Sequence, residues 1–132
     1  MPEPLETFDA RAFRFACAIV RLYLDIHRRP HVPLHVSRQI LASGTSIGAN
    51  LEEAKASQSR RDVTAKFSIA LKEARETAYW LRLLVATDLL GERTLAPLMR
   101  EAQELVSILT VARRRLAAPV SGSSDSRPSR SV

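Results

Sequence analysis

The chain has 132 residues, 45% hydrophobic but only 5% aromatic, and its twenty Lys and Arg against fourteen Asp and Glu give a formal net charge of +6. This length supports one domain with a single core, and an aliphatic composition with four scattered glycines favours an all-α fold over a β-sandwich. No apolar run reaches the roughly 18 residues that cross a bilayer, and the acidic start Met-Pro-Glu-Pro-Leu-Glu lacks a signal peptide's apolar centre, so a cytoplasmic location with no membrane partner is expected.

Residues 1–7 read as a flexible lead, residues 8–117 as a helical bundle, and residues 118–132 as a disordered basic, Ser-rich tail carrying Arg127 and Arg130. A first helix is expected from about Phe8 to Arg28, ending where Arg29, Pro30, His31, Val32 and Pro33 forbid regular hydrogen bonding. Its apolar residues fall on two opposed faces. Phe15, Ile19, Leu22 and Ile26 form one; Phe13, Cys17, Val20 and Leu24 form the other. A helix with two apolar faces is central to its domain or is shared between the core and a subunit contact, and the short chain favours the contact. Cys17, the one cysteine, sits among apolar neighbours and reads as a structural thiol.

The second helix should start near Pro33 and run to about Ala56. Val36, Ile40, Gly44, Ile47, Leu51 and Ala54 make its apolar stripe. Gly44 and Gly48 each cost about 1 kcal/mol in a helix interior, which implies compensation by a close helix crossing. Beside the stripe, Ser43, Ser46, Asn50 and Glu53 share one face. They suit a buried or half-buried hydrogen-bond network; a ligand or partner surface is the alternative.

Ser57 to Arg61 form a break, with Ser59 and Asp62 at capping-box spacing. In the third helix Val63, Phe67, Leu71, Ala74, Ala78, Leu81 and Val85 should face the core, while Ile69, Trp80 and Leu83 leave a second apolar surface. It should end near Asp88, with Gly91 as the stop. The fourth helix carries Leu95, Leu98, Ala102, Leu105, Leu109, Ala112 and Leu116 in unbroken steps of three and four, with Pro97 in its first turn.

Four amphipathic helices with short breaks predict an antiparallel up-and-down four-helix bundle. That topology brings Lys55, Arg60, Arg61, Arg113, Arg114 and Arg115 to one pole, a candidate nucleic-acid-binding site. Arginine outnumbers lysine seventeen to three, and its fork suits phosphate. Cations at a helix C-terminus also offset the macrodipole by about 0.3 to 1 kcal/mol, so Arg113 to Arg115 have a purely structural reading as well. The spare apolar residues Phe13, Val20, Leu24, Ile69, Trp80 and Leu83 are the expected oligomer interface.

Catalytic chemistry is not in evidence. His27, His31 and His35 would align on an unbroken helix, but Pro30 and Pro33 interrupt it, and no Glu-x-x-His pattern precedes them. Glu73 and Glu76, set among Lys72, Arg75 and Arg82, read as a salt-bridged solvated face rather than an acid-base pair. No metal, cofactor, enzyme activity or small-molecule substrate is therefore expected. No aromatic side chain interleaves the basic cluster at the pole, which argues against base stacking.

The pattern Ser46-Ile47-x-x-Asn50-Leu51-x-Glu53, then Ser59-Arg60-Arg61-Asp62 and Ala70-Leu71-x-Glu73-Ala74-x-Glu76-x-x-Tyr79-Trp80-Leu81, resembles the bacterial four-helix bundle family associated with intervening sequences in large-subunit ribosomal RNA genes. The likeness runs from about Phe8 to Leu116, with Ala54 where the family usually carries Gly after the matched Glu53. It implies an up-and-down bundle that assembles as a homopentamer with no known catalysis. A related branch is the accessory protein of diversity-generating retroelements, whose basic pentameric barrel binds a reverse transcriptase and template RNA. Two readings follow: an oligomer that binds structured RNA or DNA through phosphates, or a structural adaptor that recruits a protein such as a reverse transcriptase. Salt separates them, because phosphate contacts weaken steeply as it rises.

Overall fold

The structure is a computed structural model and describes residues 6–119. The helices are α1 (Phe8–Ile26), α2 (Leu34–Lys55), α3 (Arg60–Ala86) and α4 (Glu92–Ala117), joined in sequence by short connections. There is no strand among the described residues. Each helix packs antiparallel on the next, and α1 meets α4 in the slimmest contact of the four. This is the expected up-and-down bundle. The first five residues and the tail from residue 120 lie outside the described residues.

The core is aliphatic. Ile19, Ile26, Ile40, Ile47, Leu81, Leu84, Leu95, Leu105 and Leu109 are all fully buried. On α1 the buried large residues are Phe15, Ile19, Leu22 and Ile26, the inner face read from spacing, while Phe13 (69%), Leu24 (51%) and Val20 (40%) are exposed on the outer one. On α3, Ile69 is exposed, but Trp80 and Leu83 are half-buried. Trp80 packs against the core, lies edge-on to His35 and Tyr79, and donates from Nε1 to Glu76 at 3.3 Å. Of the second apolar surface expected on α3, Trp80 is thus partly covered within the subunit, whereas Ile69 stays exposed.

Local chemistry sets the helix ends. Thr7 caps α1 by accepting from Ala10 N–H at 3.3 Å, and Ser59 caps α3 by accepting from Asp62 N–H at 3.1 Å. Arg60 and Arg61 therefore belong to the first turn of α3 and not to the break before it. Asp88 adopts the left-handed conformation, with φ of 59°, and Leu89 N–H closes back on Leu84 O at 3.0 Å. This residue stops α3. Gly91, expected as that stop, instead has an extended backbone and occupies the N-cap of α4. Because α4 starts at Glu92, Pro97 lies in its second turn, where it deprives the exposed Arg93 carbonyl of a helical donor.

The close crossing is real, and its tightest point is Gly44. A Cβ there would lie 2.7 and 2.8 Å from Cγ1 and Cγ2 of Ile19. At Gly48 it would meet the Ala12 backbone at 3.6 Å, an ordinary contact. Nearby, Ser43 donates to the Gln39 carbonyl at 2.8 Å and accepts from the Thr77 hydroxyl at 2.9 Å. This buried pair ties α2 to α3. Ser46 donates to Ala42 O, Asn50 to Ser46 O, and Glu53 pairs with Lys66 at 2.8 Å. The four residues thus share a face without forming one network, because the nearest partners of Ser46 and Asn50 are carbonyls of their own helix.

Candidate nucleic-acid interface

The antiparallel packing sets the start of α3 beside the end of α4. Arg60 reaches across, donating from Nε to the Leu116 carbonyl and from Nη2 to the Arg115 carbonyl, both at 2.9 Å. These carbonyls lack intrahelical donors, so Arg60 serves as a cross-helix cap. Its guanidinium is largely committed to structure. With that role filled, Arg114 and Arg115 are not needed to satisfy the helix end; both are exposed and make no ion pair among the described residues, and the same holds for Arg61.

Lys55 stands apart from this group. It forms ion pairs with Asp9 of α1 and, at 3.3 Å, with Glu52. The pairing raises the lysine's pKa, chiefly through its hydrogen bond to Asp9, and lowers that of Asp9, chiefly through the hydrogen bond from Lys55. Lys66 is likewise tied to Glu53. At this end of the bundle Lys55 and Lys66 are thus neutralised, whereas Arg61, Arg114 and Arg115 carry no carboxylate partner among the described residues.

The open cations extend beyond the pole. On α3, Ser68, Lys72, Arg75, Tyr79 and Arg82 follow at steps of four, three, four and three, so they line one face. Lys72 and Arg75 join Thr110, Arg113 and Arg114 of α4 around a groove of about 430 Å³, and no carboxylate lines it. Leu71, buried at 6% exposure, forms its floor. Arg113 Nε donates to Ser68 Oγ at 2.9 Å, which fixes the guanidinium beside the groove.

Glu73 and Glu76 point elsewhere. Burial raises the Glu73 pKa, with the Glu76 charge adding to the effect and Lys72 opposing it, and Glu76 accepts from Trp80. Neither carboxylate forms an ion pair among the described residues, in contrast to the salt-bridged face expected from sequence. Lys72 and Glu76, four residues apart, share a face of α3, but Glu76 is turned to Trp80 and does not line the groove. Tyr79 is 49% exposed and carries Arg82 6.0 Å from its ring centre, an aromatic and cation pair on α3 beyond the basic pole.

Across the bundle, Arg11 and Glu101 form a two-pronged pair at 2.7 and 2.8 Å that links α1 to α4. The hydrogen bonds from Arg11 hold the Glu101 carboxyl below its usual range. Among the described residues, no cluster of His, Cys, Asp and Glu could hold a metal ion, and no helix is long and apolar enough to cross a membrane. His27 stacks on Tyr23, with ring centres 4.8 Å apart.

Comparison with curated proteins finds no match. Among solved structures, the chain is similar to a protein of unknown function from the S23 ribosomal protein family of Bacteroides thetaiotaomicron, with 38% identity and a TM-score of 0.77 over 82% of this chain and 99% of that one. The family profile described as 23S rRNA-intervening sequence protein matches residues 8–111, which include all of the first three helices and most of the fourth. The chain belongs to the 23S rRNA-intervening sequence protein family.

Proposed function

We propose that this protein is a non-enzymatic RNA-binding bundle that holds structured RNA by its phosphates at the basic end of α3 and α4. The observation that supports this reading is the uneven pairing of charge: Lys55 and Lys66 are neutralised by carboxylates, whereas Arg61, Arg114 and Arg115 are exposed without one among the described residues. The family and neighbour names point to ribosomal RNA as the class of partner. Exposed Phe13, Val20 and Leu24 on α1 support an assembly of several copies, a pentamer by resemblance, in which weak phosphate contacts are multiplied.

The test is a gel-shift series with an RNA hairpin across rising salt. Log affinity should fall linearly with log salt, at roughly 0.9 per neutralised phosphate for a duplex. A variant carrying Arg61→Gln, Arg114→Gln and Arg115→Gln should bind with a flatter slope and an unchanged fold, because exposed charges contribute little to stability. Arg60 is left intact in that variant because of its bonds to α4. Absence of binding by the parent at low salt would favour the protein-adaptor reading.

A further inference from the structure

We infer that the groove between α3 and α4 is a phosphodiester-binding track, in which Lys72 and Arg75 on one wall and Arg113 and Arg114 on the other hold consecutive phosphates of one RNA strand. The inference rests on the RNA-binding reading above and assigns its main contact to the side of the hairpin of α3 and α4, away from the tip that holds Arg60 and Arg61.

The groove brings four cations together around about 430 Å³ with no lining carboxylate. Like charges placed this close repel one another, so a site that gathers them without an internal counter-ion is completed by an anion from outside. Its lining on α3 runs from Ser68 to Arg75, two helical turns or about 10 Å. At one charge per 3.4 Å of axis for each strand, that length matches about three phosphates. A single small anion would leave part of it empty.

Side-chain order points the same way. Arg113 Nε is engaged by Ser68 Oγ at 2.9 Å, and Ser68 donates its own proton to Thr64 O at 2.9 Å. The guanidinium is thereby pre-positioned with its terminal N–H groups free for a second acceptor, which lowers the ordering entropy of binding. Thr110 donates to Val106 O at 2.7 Å, so the hydroxyls frame the groove and the charged groups are its donors. Arginine forks and a lysine point charge together suit phosphate oxygens. The exposed pair of Tyr79 and Arg82 continues the same face of α3 past the groove, giving the strand a direction.

The experiment compares three full-length proteins on a labelled RNA hairpin by fluorescence anisotropy from 50 to 200 mM salt. One is the parent, one carries Lys72→Gln with Arg75→Gln, and one carries Arg38→Gln with Arg93→Gln, exposed positions in the opening turns of α2 and α4 at the far end of the bundle. The two variants lose the same charge. The groove variant should lower the salt slope by roughly 1.8, so that its affinity falls about 12-fold less than the parent's over this range; the far-end variant should keep the parent's slope. Equal losses in both would show a response to net charge and overturn the groove. An unchanged slope in the groove variant, with the parent binding normally, would overturn the groove while the RNA-binding reading stands. No binding by the parent at 50 mM would overturn both. Polyglutamate that competes as well as RNA at equal charge would reassign the groove to an acidic protein surface. Matching circular dichroism melts for the three proteins establish that the fold is intact.

Discussion

Replacing Gly44 and Gly48 separately by alanine should leave the Gly44 variant the less stable of the two, although the sites are one helical turn apart. Both changes gain about 1 kcal/mol of helix propensity. At Gly44 the new Cβ would lie 2.7 and 2.8 Å from two carbons of Ile19, where favourable carbon contacts lie at about 3.5 to 4.0 Å. Something must shift by about 0.8 Å or more. Ile19 is fully buried and stiff about χ1 in a helix, so α1 must move from α2 or Ile19 must leave its rotamer, at about 1 to 3 kcal/mol. The Cβ at Gly48 finds the Ala12 backbone at 3.6 Å and needs no movement. Gly44→Ala should therefore be about 1 to 3 kcal/mol less stable than Gly48→Ala, read from urea midpoints at equal protein concentration with unchanged m values. Removing the obstructing carbons supplies the control: Ile19→Ala itself costs about 2 to 5 kcal/mol, but in that background Gly44→Ala should behave like Gly48→Ala. Equal stability of the two alanine variants in the parent background would refute the close-crossing argument.

Glu101→Gln should lower stability by about 1 to 2 kcal/mol at pH 7, because it removes charge-assisted bonds to the half-buried Arg11; since Arg11 depresses the Glu101 pKa, the contribution is full above the ordinary carboxylate pKa and the gap between variant and parent in denaturant midpoint should close as pH falls through the depressed value. Glu73→Gln should do the reverse. Burial and Glu76 raise the Glu73 pKa, so the folded chain keeps that proton to higher pH, stability falls as pH rises from the ordinary value through the raised one, and the variant should melt higher than the parent at pH 7 but not below about pH 4. Light scattering at micromolar concentration should give a multiple of the 14.7 kDa subunit mass for the parent and the subunit mass for Phe13→Glu with Leu24→Glu; a monomeric parent would sink the interface assigned to α1.

What could be read from the sequence was what repeats along a helix. The two faces of α1 sort into buried Phe15, Ile19, Leu22 and Ile26 and exposed Phe13, Val20 and Leu24 because helical periodicity alone decides which side meets the core. Turns were less legible: Asp88 takes the left-handed position that Gly91 seemed made for, since an Asp can adopt that conformation at modest cost. Trp80 is half-buried within the subunit because its ring reaches sideways to His35 on α2, a contact that periodicity within α3 does not encode. At the basic end the sequence brought Arg60 and Arg61 to Arg113, Arg114 and Arg115. It could not show that Arg60 is spent on carbonyls 55 and 56 residues away. Lys72 and Arg75 were passed over as partners of Glu73 and Glu76, pairs that do not form among the described residues; their four-and-three spacing with Ser68, Tyr79 and Arg82 was the available signal.

The chain has only three lysines, Lys55, Lys66 and Lys72, and this makes the central claim directly measurable. The first two are ion-paired on the α1 and α2 side, and the third lines the basic groove. Acetylation with an amine-reactive ester, followed by mass spectrometry of each lysine with and without an RNA hairpin at low salt, reports all three sites in one sample. The account predicts that RNA protects Lys72 and leaves Lys55 and Lys66 unchanged. Equal labelling of Lys72 with and without bound RNA, or equal protection of all three, would contradict it.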